Sequence, residues 1–215
     1  MHKETISANY PAILTALETL YPEAKPELHF TNPYETLVAT MLSAQSTDVQ
    51  VNKVTPSVFR DFPTVSSMAA ATADILFPYI KSCGFKSKAS NIVLAAKTIV
   101  EKFKGEVPGT MEELTSLKGV GRKTANVVLA NAFGIPAMAV DTHVFRVSNR
   151  LGLANANTVE KTELQLMENI PKHQWNKAHH WLISHGRRVC KARNPACGTC
   201  ALVNLCQHPK IIQPL

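Results

Sequence analysis

Residues 117–134, "LKGVGRKTANVVLANAFG", decide the fold, because they join two helical patterns through a turn that contains two glycines. The first pattern is predicted to end at Leu117 and the second to begin near Arg122. Gly119 and Gly121 permit positive φ and allow a ligand to approach the backbone closely. Val120 lies between them and is predicted to anchor the turn in the core.

Two interpretations of the second helix's N-terminus remain open at this stage. Its free N–H groups lie at the positive end of the helix dipole and suit an anion such as a phosphate group. An ordinary connection between helices fits the spacing equally well. Lys123 in the first turn opposes the dipole, which favours the neutral, nucleophilic form of an amine. A solvated surface lysine is the ordinary alternative.

The rest of the chain also carries helical periodicity, with apolar residues three and four positions apart. One predicted stripe comprises Leu37, Val38, Met41 and Leu42, a second comprises Ile92, Ala95, Ala96, Ile99 and Phe103, and a third comprises Leu164, Met167 and Ile170. No window shows strand alternation bounded by hairpin turns. The sequence therefore predicts an all-α fold.

Composition and charge narrow the class of protein. The chain has 215 residues, which suffice for one large or two small domains, and its formal net charge is +7. This excess of cations suits a polyanionic partner such as nucleic acid. No apolar run is long enough to span a bilayer, and the polar N-terminus lacks the apolar core of a secretory signal. We therefore expect a cytoplasmic, nucleoid-associated protein without a membrane partner.

A conspicuous acidic residue, Asp141, precedes a helical pattern in "AVDTHVFRVSNRLG", residues 139–152. Its position predicts an N-cap. A carboxylate that accepts backbone N–H bonds stays ionised at neutral pH, so it is a fixed negative charge and not a proton carrier. Arg146 and Arg150 lie four residues apart on the same helix, and the sequence leaves open whether they face phosphates or solvent.

Four cysteines close the chain in the pattern C-x6-C-x2-C-x5-C: Cys190, Cys197, Cys200 and Cys206. In a reducing compartment such a group is predicted to bind metal. The spacing alone leaves both a four-cysteine zinc site and an iron–sulfur cluster open. Lys191 and Arg193 lie between the first two cysteines, so the predicted ligand loop also carries positive charge.

Three motifs occur in one order, namely "LKGVGRKTANVVL", "AVDTHVFRVSNR" and the cysteine pattern, and they resemble the bacterial endonuclease III family. "LVATMLSAQSTDVQVNKV" and "HHWLISHGRRVC" extend the resemblance over nearly the whole chain. It implies two helical domains flanking a DNA-binding cleft. A six-helix domain, 26–135, would carry the helix-hairpin-helix motif. A discontinuous helical domain, 1–25 with 136–215, would carry the cluster loop.

The resemblance implies a base-excision-repair DNA glycosylase with AP lyase activity that removes oxidised or ring-saturated pyrimidines. Lys123 would attack C1′ of the deoxyribose and form a Schiff base, after which β-elimination cleaves the strand. Asp141 would be the accompanying fixed anion. The expected partner is double-stranded DNA with a damaged base or an abasic site, and the enzyme is expected to be a monomer.

The same resemblance implies a [4Fe–4S] cluster held by Cys190, Cys197, Cys200 and Cys206. It also implies the DNA-binding residues Gln45, Phe85, Gly119, Val120, Gly121, Arg122, Arg146, Lys191 and Arg193. Gln45 would fill the gap left by a flipped base, and Phe85 is the candidate for an apolar wedge in a loop one residue shorter than its counterpart. The hairpin also departs from the family's L-P-G-V-G, because Lys118 replaces the proline.

Two alternatives remain at this stage. An adenine-type glycosylase shares the hairpin, the aspartate and the cluster, but it lacks the lysine nucleophile and has a long C-terminal domain. Lys123 is present here, and nine residues follow Cys206. The other alternative is a non-catalytic DNA-binding or redox module with an iron–sulfur cluster. A reducible covalent adduct with an abasic site distinguishes the enzyme from both.

Overall fold

The structure is a computed structural model that describes residues 9–208, and every regular element in that range is helical. The chain divides into two compact units, one of residues 26–135 and the other of residues 1–25 with 136–215. Residues 1–8 and 209–215, which the predicted discontinuous domain includes, lie outside the described part. The all-α prediction is confirmed.

The unit 26–135 contains seven α-helices: α2 Pro33–Ser43, α3 Asp48–Asp61, α4 Val65–Ala70, α5 Ala73–Ile80, α6 Lys86–Phe103, α7 Met111–Ser116 and α8 Arg122–Ala132. The prediction of six helices is therefore wrong by one. Thr64, Thr72 and Thr110 each accept a backbone N–H from the third residue of the helix that follows. Such N-caps satisfy exposed donors and let helices of six to eight residues begin separately.

Buried apolar faces hold this unit together. Leu37 and Leu42 of α2 and Ile92 and Ile99 of α6 are almost completely buried, so both predicted stripes are confirmed there. The helix α2 packs against α8, and α6 packs against α4 and α5. Val128 of α8 is fully buried, which fixes the second helix of the hairpin on the core of its own unit.

The other unit contains four α-helices among its described residues: α1 Tyr10–Leu20, α9 Thr142–Leu151, α10 Val159–Asn169 and α11 Trp175–Arg188. Its core joins the N-terminal helix to the three later ones through Leu17, Val147, Leu166 and Trp181. Leu202, which lies beyond α11, belongs to the same core. The segment after the last helix is therefore anchored by one buried apolar side chain between the third and fourth cysteines.

The predicted apolar stripe of α10 is partly wrong. Leu164 is 61% exposed, whereas Thr162 and Leu166 are fully buried and Ile170 is buried at the end of the helix. Residues 162, 166 and 170 repeat every four positions, so they form one face, and residue 164 lies about 200° away from residue 162. Thr162 can lie on the buried face because its hydroxyl donates to Thr158 O at 2.8 Å.

Candidate functional site

The hairpin turn between α7 and α8 requires glycine at one position. Val120 N donates to Leu117 O at 3.1 Å across the turn, and Gly119 has φ of +79°. The third residue of a type II turn needs such a positive φ. A Cβ on Gly119 would also lie 2.7 Å from Cβ of Asn91. Both backbone conformation and space therefore exclude a side chain at this position.

Gly121 differs from Gly119. Its φ of −93° and ψ of 174° are extended, so positive φ is used at only one of the two glycines. Gly121 is the N-cap of α8 and provides no side-chain cap, and an added Cβ would meet nothing within 4 Å. Val120 is buried to 6% exposure, which confirms that it anchors the turn. The start of α8 is thus anchored in the core by Val120, and the space beside Gly121 is open.

Three cationic residues lie in the turn before α8 and in its first turn. Lys118, Arg122 and Lys123 are all exposed, and Lys123 is the second residue of α8. No acidic side chain lies in the first turn of α8. Acidic residues are favoured at helix N-termini by the dipole, so two cations there have an electrostatic cost. This arrangement suits an anion supplied by a ligand.

Asp141 is the N-cap of α9, as predicted. One carboxylate oxygen, Oδ1, accepts from His143 N at 2.8 Å and from Val144 N at 2.7 Å. These two bonds orient the carboxylate, and the residue is half-buried. Oδ2 is not used by either capping bond. Asp141 belongs to the discontinuous unit, whereas Lys123 belongs to the unit 26–135.

Gln45 and Phe85 occupy unusual positions in the unit 26–135. Gln45 has φ of +58° and is exposed directly after α2, in a turn closed by Ser46 N donating to Ser43 O at 3.1 Å. The left-handed conformation costs a residue with a side chain about 1–2 kcal/mol. Phe85 precedes α6 and is 78% exposed. Backbone strain such as that at Gln45 is typical of functional sites, and Phe85 exposes a large apolar ring to solvent.

The four cysteines of the C-terminal pattern line one open cavity, together with Arg150, His185 and apolar side chains. All four are free thiols. In the part of the chain from 9 to 208, no three His, Cys, Asp or Glu side chains are placed to hold a single metal ion. Each thiolate of a [4Fe–4S] cluster binds a different iron, so the cluster does not require convergence on one point. The donor set and its cavity therefore fit such a cluster.

Burial shifts the pKa of two of the thiols and of the neighbouring His185. It raises the pKa of Cys200 and of Cys206, and the positive charge of a bound metal favours their thiolate forms. His185 is 1% exposed, and burial lowers its pKa to about 4. Its Nε2 lies 3.6 Å from Cys200 Sγ, and its Nδ1 lies 2.9 Å from Tyr21 Oη. A ligating thiolate only accepts, so neutral His185 donates from Nε2 and accepts the Tyr21 hydroxyl at Nδ1.

Arg146 and Arg150 fasten the ligand loop to α9. Arg146 donates from Nε to Cys190 O at 3.1 Å and from Nη2 to Gly186 O at 3.0 Å. Arg150 donates from Nη1 to Lys191 O at 2.8 Å and to Cys190 Sγ at 3.5 Å. Most of the Arg146 guanidinium is therefore engaged within its own unit, and DNA binding by this residue stays a prediction.

The predicted cations of the ligand loop lie on the surface. Lys191 and Arg193 are both exposed. The backbone between the cysteines is held by Arg150, whose Nη2 also donates to Ala192 O at 3.2 Å. The two cations therefore lie in a segment whose main chain is bonded to Arg150 at Lys191 O and Ala192 O. Arg188 near them lies over the Tyr21 ring, 5.6 Å from its centroid.

Some residues of these sites escaped the sequence analysis. The spacing of Arg146 and Arg150 was visible, but it did not show that they bind loop carbonyls instead of facing outward. His185 has no sequence signal that separates it from its neighbours His179 and His180. Lys88 is one of several lysines on α6, and only the structure shows that its ammonium contacts three carbonyls.

Two family models match this chain, and their ranges include the hairpin and the four cysteines. Residues 38–172 match the family model of the "HhH-GPD superfamily base excision DNA repair protein", and residues 190–206 match the "Iron-sulfur binding domain of endonuclease III". Endonuclease III of Synechocystis sp. is 50% identical over 196 residues, which is 90% of either chain. Endonuclease III of Rickettsia felis is 48% identical over 188 residues, 87% of this chain and 88% of that one.

A solved structure is also similar. It is a trapped covalent intermediate of endonuclease III with DNA, 45% identical, with a TM-score of 0.87 over 92% of this chain and 93% of that chain. These matches confirm the resemblance, the iron–sulfur cofactor and DNA as the partner. The chain belongs to the HhH-GPD superfamily of base excision DNA repair proteins and, within it, to the endonuclease III family of DNA glycosylases with AP lyase activity.

Proposed function

We propose that this chain removes oxidised or ring-saturated pyrimidines from double-stranded DNA and cleaves the strand at the resulting abasic site, with Lys123 as nucleophile. The observation that carries the proposal is the exposed Lys123 in the first turn of α8, directly after the glycine turn. The neutral form of a primary amine is a nucleophile, and an exposed amine is accessible to a bound strand. The same helix start suits a backbone phosphate of the bound strand.

In the proposed reaction the neutral amine of Lys123 attacks C1′ of the damaged nucleotide, and the C1′–N bond breaks as the base leaves. The C1′–O4′ bond then breaks, O4′ takes up a proton, and a Schiff base forms between Nζ and C1′. The Schiff base makes the 2′ hydrogen acidic. Removal of that proton expels the 3′ phosphate by β-elimination, and water then hydrolyses the Schiff base and frees Lys123.

Asp141 supplies a fixed negative charge in this proposal. Positive charge develops on the sugar as the base departs, and a nearby carboxylate stabilises it, as in glycoside hydrolysis. The two capping bonds to His143 N and Val144 N orient the carboxylate without using Oδ2. A carboxylate that is already committed to a cap has little reorganisation to undergo during the reaction.

Access to the base requires flipping, which costs a few kcal/mol of unstacking and pairing energy and costs least for a damaged base. Gln45 is proposed to fill the space that the flipped base leaves. Phe85 is proposed to wedge against the unpaired strand, because its exposed ring gains apolar contact on insertion. The other residues proposed to bind DNA are Gly119, Val120, Gly121, Arg122, Arg146, Lys191 and Arg193.

When bound, the [4Fe–4S] cluster ties the chain from Cys190 to Cys206 into one rigid loop. The residues that would hold it are Cys190, Cys197, Cys200 and Cys206, with Arg150 and His185 donating to two of the sulfurs. This loop presents Lys191 and Arg193.

We propose that the enzyme acts as a monomer on the DNA of the nucleoid. No helix in the range 9–208 is long and apolar enough to cross a membrane.

The proposed substrate class is tested with a panel of duplexes that each contain one lesion. Single-turnover excision is measured on oxidised pyrimidines, ring-saturated pyrimidines, oxidised purines and an adenine mispair. We expect excision of both pyrimidine classes, strand cleavage with a β-elimination end, and a borohydride-reducible adduct. Excision confined to the purine lesions would overturn the proposed substrate class, and excision without an adduct would overturn the lysine mechanism.

The proposed phosphate contacts of the ligand loop predict a change in salt dependence. In the double variant Lys191→Ala with Arg193→Ala, the slope of log K against log salt should become shallower by about 1.8, or about 0.9 for each phosphate lost. Binding to damaged and undamaged duplex should weaken equally, because phosphate contacts carry no sequence information. Fluorescence anisotropy at several salt concentrations measures both quantities.

The matched control for this prediction is Lys161→Ala with Lys172→Ala. It removes two exposed cations from the same unit and changes the net charge equally. Its slope should stay within experimental error of the parent's, and both double variants should retain the visible absorbance of the cluster. An equal change of slope in both double variants would show that only net charge matters.

A further inference from the structure

Lys88 has an ammonium with every donor satisfied by a main-chain carbonyl. It is the third residue of α6 and is half-buried. Its Nζ donates to Leu42 O at 2.9 Å, to Ala44 O at 2.7 Å and to Cys83 O at 2.5 Å. An ammonium has three N–H donors, so these three bonds complete its capacity.

The three carbonyls belong to the two segments that carry Gln45 and Phe85. Leu42 and Ala44 lie at the C-terminal end of α2, immediately before Gln45. Cys83 lies at the start of the loop that leads to Phe85. Lys88 therefore bonds to main-chain carbonyls of two segments, and each segment carries one of the side chains proposed to enter the duplex.

The surrounding contacts make this junction specific. Gly84 has φ of +135°, and a Cβ built on it would lie 3.3 Å from Lys88 Nζ, so the glycine leaves room for the ammonium. Gln50 Nε2 donates to Ser82 Oγ at 2.8 Å, which ties the N-terminal part of α3 to the same loop. The Lys88 ammonium is the one charged group in this set of contacts.

The electrostatics favour a cation at this place. The C-terminal end of α2 carries the negative end of a helix dipole, and its last carbonyls lack partners within the helix. Bonds from a charged donor to such carbonyls are stronger than bonds between neutral groups. Burial lowers the pKa of Lys88, which is the cost of holding the ammonium away from water. The three carbonyls offset that cost.

We infer that Lys88 is a positioning residue for damage recognition, which fixes the turn of Gln45 and the loop of Phe85 relative to each other so that both side chains enter the duplex together. The inference rests on the proposed roles of Gln45 and Phe85. Without the ammonium, Leu42 O and Ala44 O lose their bonds to Lys88, and the strained turn of Gln45 that follows them loses this support. The loop of Phe85 loses its tie to α2 at the same time.

The first test compares Lys88→Met with Lys97→Met, a matched loss of charge at an exposed lysine of the same helix. In Lys88→Met, single-turnover excision should fall about 10²-fold, the loss that a displacement of about 1 Å at a site can cause. Fluorescence of 2-aminopurine placed opposite the lesion should show reduced unstacking on binding. Affinity for undamaged duplex should change less than about twofold in both variants. Normal excision and unstacking in folded Lys88→Met would overturn the inference.

The second test is a double-mutant cycle, because a merely structural lysine would also slow excision. Lys88→Met is combined with the pair Gln45→Ala and Phe85→Ala. If Lys88 acts through these two residues, adding Lys88→Met to that pair should lower excision by less than about twofold more. A further loss near 10²-fold, roughly the full single-variant effect, would mean that Lys88 acts elsewhere and would overturn the inference.

The cycle also separates the inference from the proposal on which it rests. Normal excision by Gln45→Ala with Phe85→Ala would overturn the proposed roles of those residues, and the inference with them. Impaired excision in that pair with an additive effect of Lys88→Met would overturn the inference alone. Should Lys88→Met not fold, Lys88→Gln keeps two N–H donors without the charge and enters the same cycle with the same expected coupling.

Discussion

Replacing Lys123 by glutamine will abolish the borohydride-trapped adduct with abasic DNA. The side chain of Lys123 is exposed at the second position of α8, so the substitution removes the amine without opening a cavity. Removal of a catalytic nucleophile can cost on the order of 10⁶ in kcat. Stability should change by no more than about 0.5 kcal/mol, as for other surface substitutions. Denaturing gel electrophoresis after borohydride treatment measures the adduct, and thermal melting measures stability.

Two further variants separate nucleophilicity from charge. Lys123→Arg keeps the cation but cannot provide a neutral amine, because guanidinium stays protonated. It should bind abasic duplex nearly as well as the parent and form no adduct. Lys97→Gln removes an exposed lysine of α6 and should be trapped normally. Undiminished trapping in either Lys123 variant would exclude Lys123 as the nucleophile.

Asp141→Asn will lower the rate of base excision by about 10²–10³-fold, which is the loss typical of removing one preorganised electrostatic group. The asparagine keeps a side-chain oxygen for the two capping bonds now made to His143 N and Val144 N. The stability loss should therefore stay below the ~0.5–2 kcal/mol of a lost cap. Single-turnover excision and thermal melting of the same preparation give the two quantities.

A second helix of the same unit provides the control for capping. Thr158 caps α10 by accepting from Lys161 N at 3.2 Å. Thr158→Ala should show the stability loss of a cap with almost unchanged excision, which is the opposite pattern. Near-normal excision in Asp141→Asn would mean that the negative charge is not required. Unfolding of Asp141→Asn would mean that the carboxylate is chiefly structural.

Local patterns predicted much of the fold because the forces behind them act within one helix. The apolar stripes of α2 and α6, the cap at Asp141 and the start of α8 at Arg122 all depend on residues within four positions of each other. The buried face of α10 was less predictable. Leu164 and Leu166 are equally apolar, and only packing against the rest of its unit selects which of them is buried.

The residues of the site show the same difference between what local patterns predict and what only packing determines. Motifs single out Lys123, Asp141 and the four cysteines, and the catalytic roles of Lys123 and Asp141 are proposals. Interactions between distant parts of the chain were not predictable. Arg146 binds carbonyls 40 and 44 residues away, and Lys88 binds carbonyls at the end of α2, because main-chain acceptors have no signature in the amino-acid sequence.

The sequence by itself determined an all-helical protein, a glycine turn before a lysine-bearing helix, a capping aspartate and a four-cysteine loop. Each follows from backbone conformation, periodicity or ligand spacing, which short segments specify alone. Only the tertiary structure decided that Gly119, and not Gly121, uses positive φ, that His185 bonds to Cys200, and that Lys88 joins two loops. These depend on which carbonyls, thiols and side chains the folded chain brings within bonding distance, and that is a property of packing.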